Sequence, residues 1–226
     1  MLYGDAGNDR VLGDDGNDLI DAGMGIDTVY GGAGDDRIMA SVNDGNDVYY
    51  GDDMTGGTGN DTLDMSAITA NITANLGANG GSGSVFSTQS GADTIWGIEN
   101  IVTGSGNDTI TANHAVNVID GGAGNDVFRF LSAADASGDT ILGFQPGDRL
   151  DLSAIDANTG AGGKQAFTLA NGSSFTGPAQ LVISHETRDD GDYTVVSGNT
   201  TGPDAAEFKI SLKGIHDLKA SDFVLS

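Results

Sequence analysis

Aspartate recurs in this chain at a fixed interval, in the company of glycine. Asp9, Asp18, Asp27 and Asp36 lie nine residues apart. Gly7, Gly16, Gly25 and Gly34 stand two positions ahead of them, and Gly4, Gly13 and Gly31 five positions ahead. Gly23 and Gly32 complete the glycine-rich half of two copies. The interval slips by two residues at Asp47, then resumes with Gly56, Gly57, Gly59 and Asp61. After a gap it returns with Gly104, Gly106 and Asp108, and again with Gly121, Gly122, Gly124 and Asp126. Carboxylates this numerous say little about acid–base catalysis, and their phase assigns them to metal. The glycine positions tolerate positive φ, so the turn can bring backbone carbonyls and one carboxylate to its inside. An oxygen-only cage suits Ca²⁺, which takes about six to eight oxygens at roughly 2.3–2.6 Å. Zn²⁺ would want His or Cys, and Mg²⁺ would keep its waters.

Other chemistry finds no constellation. His114, His185 and His216 are scattered, and His185-Glu186-Thr187-Arg188-Asp189 opens like a zinc-protease motif but lacks its second histidine. There is no Gly-x-Ser-x-Gly elbow and no phosphate-binding lysine loop. No residue is assigned a catalytic role, and the chain is read as not an enzyme.

The elements that must position the aspartates follow from the other half of the repeat. Val11, Ile20, Val29 and Ile38 keep phase with the glycines. Each centres a three-residue strand whose middle side chain points inward. Two nonapeptides then make one coil of a flattened right-handed spiral, and residues eighteen apart stack. Asp9 lies over Asp27, and Asp18 over Asp36 on the opposite edge. Ordering the glycine-rich nonapeptide costs more chain entropy than its one buried Val or Ile returns. Stacked carboxylates also repel one another, so metal binding and folding are expected to be one event.

Composition agrees. Of the 33 acids in 226 residues all but Glu99, Glu186 and Glu207 are Asp, and the net charge is −24. Asp favours turns and metal loops, whereas helical surfaces usually take Glu. A chain this acidic repels nucleic acid and anionic membrane alike. No apolar run is long enough to span a bilayer, and Met1-Leu2-Tyr3-Gly4-Asp5 has neither a basic nor an apolar leader region. Residues 1–126 carry 20 of the acids and two bases, whereas all three prolines and seven of eight Phe lie beyond residue 126. Short strands with turn punctuation follow there, at Thr140–Phe144, Ala166–Leu169, Gln180–Ser184, Tyr193–Val196 and Glu207–Leu212.

The nonapeptide Gly-Gly-x-Gly-x-Asp-x-apolar-x resembles that of the RTX calcium-binding β-roll family, whose members leave the cell by type I secretion. Further residues are similar to the C-terminal domain of serralysin-type metalloproteases. These are Ile98-Glu99-Asn100-Ile101, Thr103 to Asp108, Asn117 to Phe128, Gly143-Phe-Gln-Pro-Gly-Asp-Arg-Leu-Asp-Leu-Ser153 and Ala220-Ser-Asp-Phe-Val-Leu-Ser226. The resemblance implies binding of several calcium ions, an extracellular location, a type I exporter as partner and an export signal at Asp222, Phe223, Val224 and Leu225. The family's Asp-rich loop near 199–207 is reduced here to Asp204 and Glu207, so no calcium site is expected there.

The expected fold is all-β: a right-handed parallel β-roll followed by a small β-sandwich-like domain. The divisions are an N-terminal roll at 1–64, an irregular or β connecting segment at 65–102, a second roll block at 103–130 and the C-terminal domain at 131–226. The expected function is that of a calcium-folded C-terminal module carrying the secretion signal. Met1 opens inside a repeat, so an N-terminal catalytic or effector domain is expected to precede this piece. Two alternatives remain: the tail of a secreted metalloprotease, lipase or glycan-active enzyme, and a polysaccharide-binding surface module like the similar modules of alginate epimerases.

Overall fold

A computed structural model describes residues 1–52, 58–77, 81–202 and 205–226. Gly56, Gly57 and Asp204 lie outside the described residues. Among the described residues there is no α-helix, and the chain forms strands, turns and one 3-10 turn at Ala220–Asp222.

Each nonapeptide delivers one short strand, and successive strands fall alternately into two sheets. In chain order the first are β1 (Leu2–Tyr3), β2 (Arg10–Leu12), β3 (Leu19–Asp21), β4 (Thr28–Gly32), β5 (Arg37–Met39), β6 (Val48–Asp52) and β7 (Thr62–Asp64). β1, β3, β5 and β7 pair in parallel in one sheet, and β2, β4 and β6 in the other. The separation of eighteen is seen directly in Val11 against Val29 and Ile20 against Ile38. The two-residue slip sets Tyr49 against Val29, and the longer insertion sets Leu63 against Ile38, without breaking either ladder. The parallel β-roll read from the sequence is therefore the fold.

The segment 65–102 contributes β8 (Ile72–Asn75), β9 (Gly83–Ser87), β10 (Gly91–Trp96) and β11 (Asn100–Val102). β10 pairs in parallel with β6, β9 runs antiparallel between β10 and β8, and β8 pairs in parallel with β12 (Thr109–Thr111). Strict in–out alternation explains β9, whose Gly83, Val85 and Ser87 are buried while Ser84 and Phe86 are exposed. On the other face β11 joins β7 to β13 (Val118–Asp120).

Both sheets continue past residue 130. β14 (Val127–Arg129), β16 (Arg149–Asp151) and β21 (Phe223–Val224) extend the sheet of β2. β15 (Thr140–Leu142) and β20 (Phe208–Lys213) extend the sheet of β1 in parallel. The long antiparallel strands β19 (Gly191–Asn199) and β18 (Gln180–Arg188) follow, with β17 (Thr168–Leu169) at the edge. The core is a column of inward residues: Val11, Val29, Tyr49 and Ile95 from one sheet, Ile20, Ile38, Leu63, Ile101, Ile119 and Ile141 from the other, all buried. Each returns about 1.5–3 kcal/mol of apolar burial.

Candidate metal centre

The turns between strands stack as closely as the strands do. Gly25 has φ of +155° and Gly45 of +131°, and a Cβ on either would overlap a carbonyl oxygen of the coil before, that of Gly7 or Gly25. Gly122 and Gly124 stand in the same relation to the carbonyls of Gly104 and Gly106. A side chain at these positions would fill the space into which the turn carbonyls project.

The repeat aspartates line the same edges. From Asp27 onward, one oxygen accepts a backbone N–H from the preceding coil: Asp9 N–H donates to Asp27 at 2.7 Å and Asp18 N–H to Asp36 at 2.8 Å. Asp27 donates likewise to Asp47 at 2.7 Å, Asp36 to Asp61 at 2.9 Å and Asp108 to Asp126 at 2.8 Å. The Asp9–Asp27 and Asp18–Asp36 stacking expected from the spacing is thus present. The second oxygen, Oδ2, of Asp9, Asp27, Asp36, Asp61, Asp108 and Asp126 is buried without a hydrogen-bond partner. Buried polar groups are ordinarily paired, and an unpaired ionised one is costly.

The cost shows in the acid strengths. Burial pushes the Asp61 and Asp126 carboxyls up to about 7, against the N–H bond that each accepts, and neighbouring carboxylates push the same way. Asp36, Asp47 and Asp108 are raised for the same first reason. Among the described residues no three His, Asp or Glu side chains converge on one point. Any cage here therefore draws most of its oxygens from the backbone, which suits a large, hard cation. The orphaned oxygens, the projecting carbonyls and the oxygen-only donor set fit calcium.

The ladders also recruit carboxylates that the nonapeptide spacing passes over. Asp93, Glu99, Asp139 and Asp148 accept N–H groups from Asp47, Asp61, Asn117 and Asp126 at 2.9–3.0 Å. Their shared signal is an acid two residues before a buried apolar strand centre, as in Asp93-Thr94-Ile95 and Asp139-Thr140-Ile141, with or without the glycines. Asn117 holds the place of an aspartate, and its amide nitrogen donates to the Glu99 carbonyl at 2.7 Å and to Asn113 Oδ1 at 2.9 Å.

A second, outer ladder of amides runs one residue earlier. Asn8 accepts from Ile26 N–H at 3.1 Å, Asn17 from Asp35 at 3.0 Å, Asn71 from Asn107 at 2.9 Å and Asn107 from Asn125 at 2.8 Å.

Two arginine clamps complete the edges. Arg37 Nε donates to Asp64 at 2.9 Å and Arg129 Nε to Asp151 at 2.8 Å. Burial alone would raise Asp64 and Asp151, but hydrogen bonds from Ser66 and Arg37, and from Ser153 and Arg129, outweigh it and hold both below the usual value. The repeated Leu-Asp-x-Ser-Ala-Ile at 63–68 and 150–155 marks the two acceptors in the sequence but not the arginines that clamp them.

The remaining candidates take structural places. His114 pairs through Nδ1 with Asp135, whose other oxygen accepts from the Ser132 hydroxyl at 2.8 Å. Glu186 pairs with Arg188 at 3.1 Å. Glu207, at the depleted loop, accepts the Thr200 N–H at 2.6 Å. Of the terminal residues, Phe223 is buried against the core and the Val224 carbonyl accepts the Leu152 N–H at 2.9 Å.

Comparison with known proteins agrees with this geometry. The RTX calcium-binding nonapeptide repeat model matches residues 1–29 and 25–53, and such repeats bind Ca²⁺. The Peptidase M10 serralysin C-terminal model matches residues 53–225. No curated protein matches the chain. Among solved structures, it is similar to the AlgE6R3 subunit of the Azotobacter vinelandii mannuronan C5-epimerase at 23% identity, covering 92% of this chain and 80% of that one, with a TM-score of 0.40. The AlgE6R2 subunit of the same enzyme matches at 25% identity over 83% of this chain and 91% of that one, with a TM-score of 0.38. The extracellular lipase LipA of Serratia marcescens matches at 17% identity and a TM-score of 0.32, over 96% of this chain but 40% of the lipase. With its family model spanning residues 53–225 and RTX repeats ahead of it, the chain belongs to the serralysin C-terminal family of M10 peptidases.

Proposed function

We propose that this chain is a non-catalytic, calcium-folded module of a secreted protein, unfolded inside the cell, exported through a type I system and ordered outside, where it stabilises the protein it belongs to. The observation that carries the reading is the row of buried carboxylate oxygens without a donor, repeated coil after coil. Asp9, Asp18, Asp27, Asp36, Asp47, Asp61, Asp108 and Asp126 are the proposed side-chain ligands, with carbonyls of the glycine turns around them. Calcium bound there supplies the positive charge that the edges lack. Without it, the acids of residues 1–126 repel one another over a Debye length of about 8 Å, and the glycines keep the chain threadable.

The terminal residues fit this order of events. Phe223 faces Leu150 and Val224 faces Asp151 in the last parallel pair. An exporter that reads Asp222, Phe223, Val224 and Leu225 must do so before the roll closes over them. A catalytic domain, metalloprotease, lipase or glycan-active, then belongs to another part of the parent protein.

A second reading, polysaccharide binding, is favoured by one feature. Tyr30, Tyr50 and Trp96 form a stacked row on the outer face of the β2 sheet, with centroids 4.7 and 6.3 Å apart and the Arg10 guanidinium over Tyr30. Binding to a glycan array that is lost in Trp96→Ala would favour it.

The primary reading is tested by secretion of a passenger fused ahead of the chain. Changing Asp9, Asp18, Asp27, Asp36, Asp61, Asp108 and Asp126 to Asn should slow export of a large passenger, with little rescue by external calcium. Deleting residues 222–226 should stop export. Wild-type export rates in both variants would overturn the proposal.

A further inference from the structure

We infer that the chain pairs with a second copy of itself through the free edge of β18, which joins the β1 sheets of the two molecules into one continuous sheet. That sheet runs from β1 at one end to β17 at the other. β17 covers β18 only at Gln180 and Leu181. From Val182 to Arg188 the outer side of β18 has no neighbouring strand among the described residues, and His185 to Arg188 are exposed.

Two observations fix which backbone groups line that edge. Ala170 N–H donates to the Leu181 carbonyl at 2.8 Å, so Leu181 faces outward. At the other end Arg188 lies opposite Gly191 across the tight turn at Asp189-Asp190, so Arg188 faces β19. Outward and inward residues alternate along an antiparallel pair. The N–H and C=O groups of Ile183, His185 and Thr187 therefore line the open side. None of the three makes a backbone hydrogen bond on that side to another described residue. Such a row is a template for a further strand, and proteins blunt it with proline, lysine, a bulge or a covering loop. Residues 182–188 hold no Pro or Lys, and their pairing with β19 runs without a bulge.

Charge selects a second copy as the occupant. Residues 1–126 hold 20 of the 33 acids and two of the bases, and their coils begin at the β1 end of the sheet. Joining β18 to β18 puts those acidic coils at opposite ends of the combined sheet. The edge itself is locally balanced, because Glu186 pairs with Arg188 at 3.1 Å. A two-fold axis through Glu186 sets the copies antiparallel, with His185 opposite Thr187 of the second copy, so that outward N–H and C=O groups meet. Arg188 then lies opposite Ser184 of the second copy and diagonal to its Glu186, within reach of long side chains. The Arg188 guanidinium is held for this over the Tyr193 ring, 4.2 Å from its centroid. Each Arg188 thus flanks the two Glu186 side chains that meet at the axis. An unrelated strand would find the same backbone groups but not this exchange of charges.

The test is sedimentation equilibrium of the full chain in saturating calcium, with circular dichroism to confirm order. The wild type should show a monomer–dimer equilibrium. His185→Pro removes an outward N–H without touching the β19 ladder and should raise the dimer dissociation constant by about tenfold or more. Arg188→Glu should weaken the dimer as well, and adding Glu186→Arg to it should restore pairing. Register is read by oxidising Glu186→Cys. The chain has no cysteine of its own, and the axis sets the two new side chains opposite one another, so a disulfide-linked dimer should form. Ser184→Cys, on the same face but away from the axis, should stay unlinked. An ordered wild type that remains monomeric at the highest concentration reached overturns the inference. So does a dimer that His185→Pro leaves intact, or one that links through Ser184→Cys and not through Glu186→Cys.

Discussion

Asp126→Asn should change the stability of this fold in opposite directions with and without calcium. The Asp126 carboxyl is fully buried, and burial brings its pKa to about 7 in the fold against 3.8 for an ordinary aspartate. Its folded value is raised, so its stabilising proton is fully present below the unfolded value and is lost as pH rises through about 7. Near pH 8, keeping it ionised without metal costs at most about 4 kcal/mol, and solvent and salt at the roll's edge reduce that to roughly 2 kcal/mol. Asparagine removes the charge and keeps an acceptor for the Asp108 N–H, now 2.8 Å away. Its new amide protons have a precedent in Asn117, which donates to a carbonyl of the stacked coil. In chelator, with an osmolyte to favour the compact state, the variant should be more stable by about 2 kcal/mol near pH 8, and the gain should vanish as pH falls toward 4. In saturating calcium it should be less stable by about 3 kcal/mol or more, because one carboxylate of a buried charged cluster is gone. Urea unfolding followed by circular dichroism reads both. Loss of stability in both conditions would show that Asp126 serves the fold and not a cation.

Asn117→Asp should add a calcium ion to the count measured by calorimetry, since it turns a self-satisfied amide into a carboxylate between Glu99 and Asp139; an unchanged count would mean that the amide does not stand in for a cation. Arg129→Met should cost about 1 kcal/mol through the Asp151 clamp, by the same amount in chelator with osmolyte and in calcium, because the guanidinium is partly exposed and the clamp is independent of metal. With the same osmolyte keeping the metal-free chain compact, calcium binding near pH 6 should release protons and be weaker than at pH 8, since protons compete at Asp61 and Asp126, which titrate near 7 in the fold. Calorimetry in two buffers of different ionisation enthalpy measures the release, and none would contradict the raised acid strengths.

The regular coils were legible because phase carries both halves of their structure. Asp9, Gly7 and Val11 each fix one property, edge carboxylate, turn and core, and a shift of any one by a residue would have shown. Asp93, Glu99, Asp139 and Asp148 escaped for the same reason. Their coils lack part of the glycine signature, and parallel pairing across 38 or 46 residues leaves no periodic trace. The β9 strand was unreadable as an antiparallel insertion because Ser84, Val85 and Phe86 state which face is buried but not which neighbour they join. The late strands at 140–142, 180–188, 191–199 and 208–213 were found by alternation, yet their joining to the same two sheets depends on register, which alternation leaves open. The arginine clamps were hidden because Arg37 and Asp64 are 27 residues apart.

The central claim is that cation binding and folding are a single event. Its most direct measurement is the far-ultraviolet circular dichroism of the full chain at neutral pH, first in chelator and then along a calcium titration, with magnesium as control. The account predicts a largely unordered spectrum in chelator, a cooperative gain of β structure at sub-millimolar to millimolar calcium, and little response to magnesium at the same concentration. Full β content in chelator, unchanged on adding calcium, would contradict it.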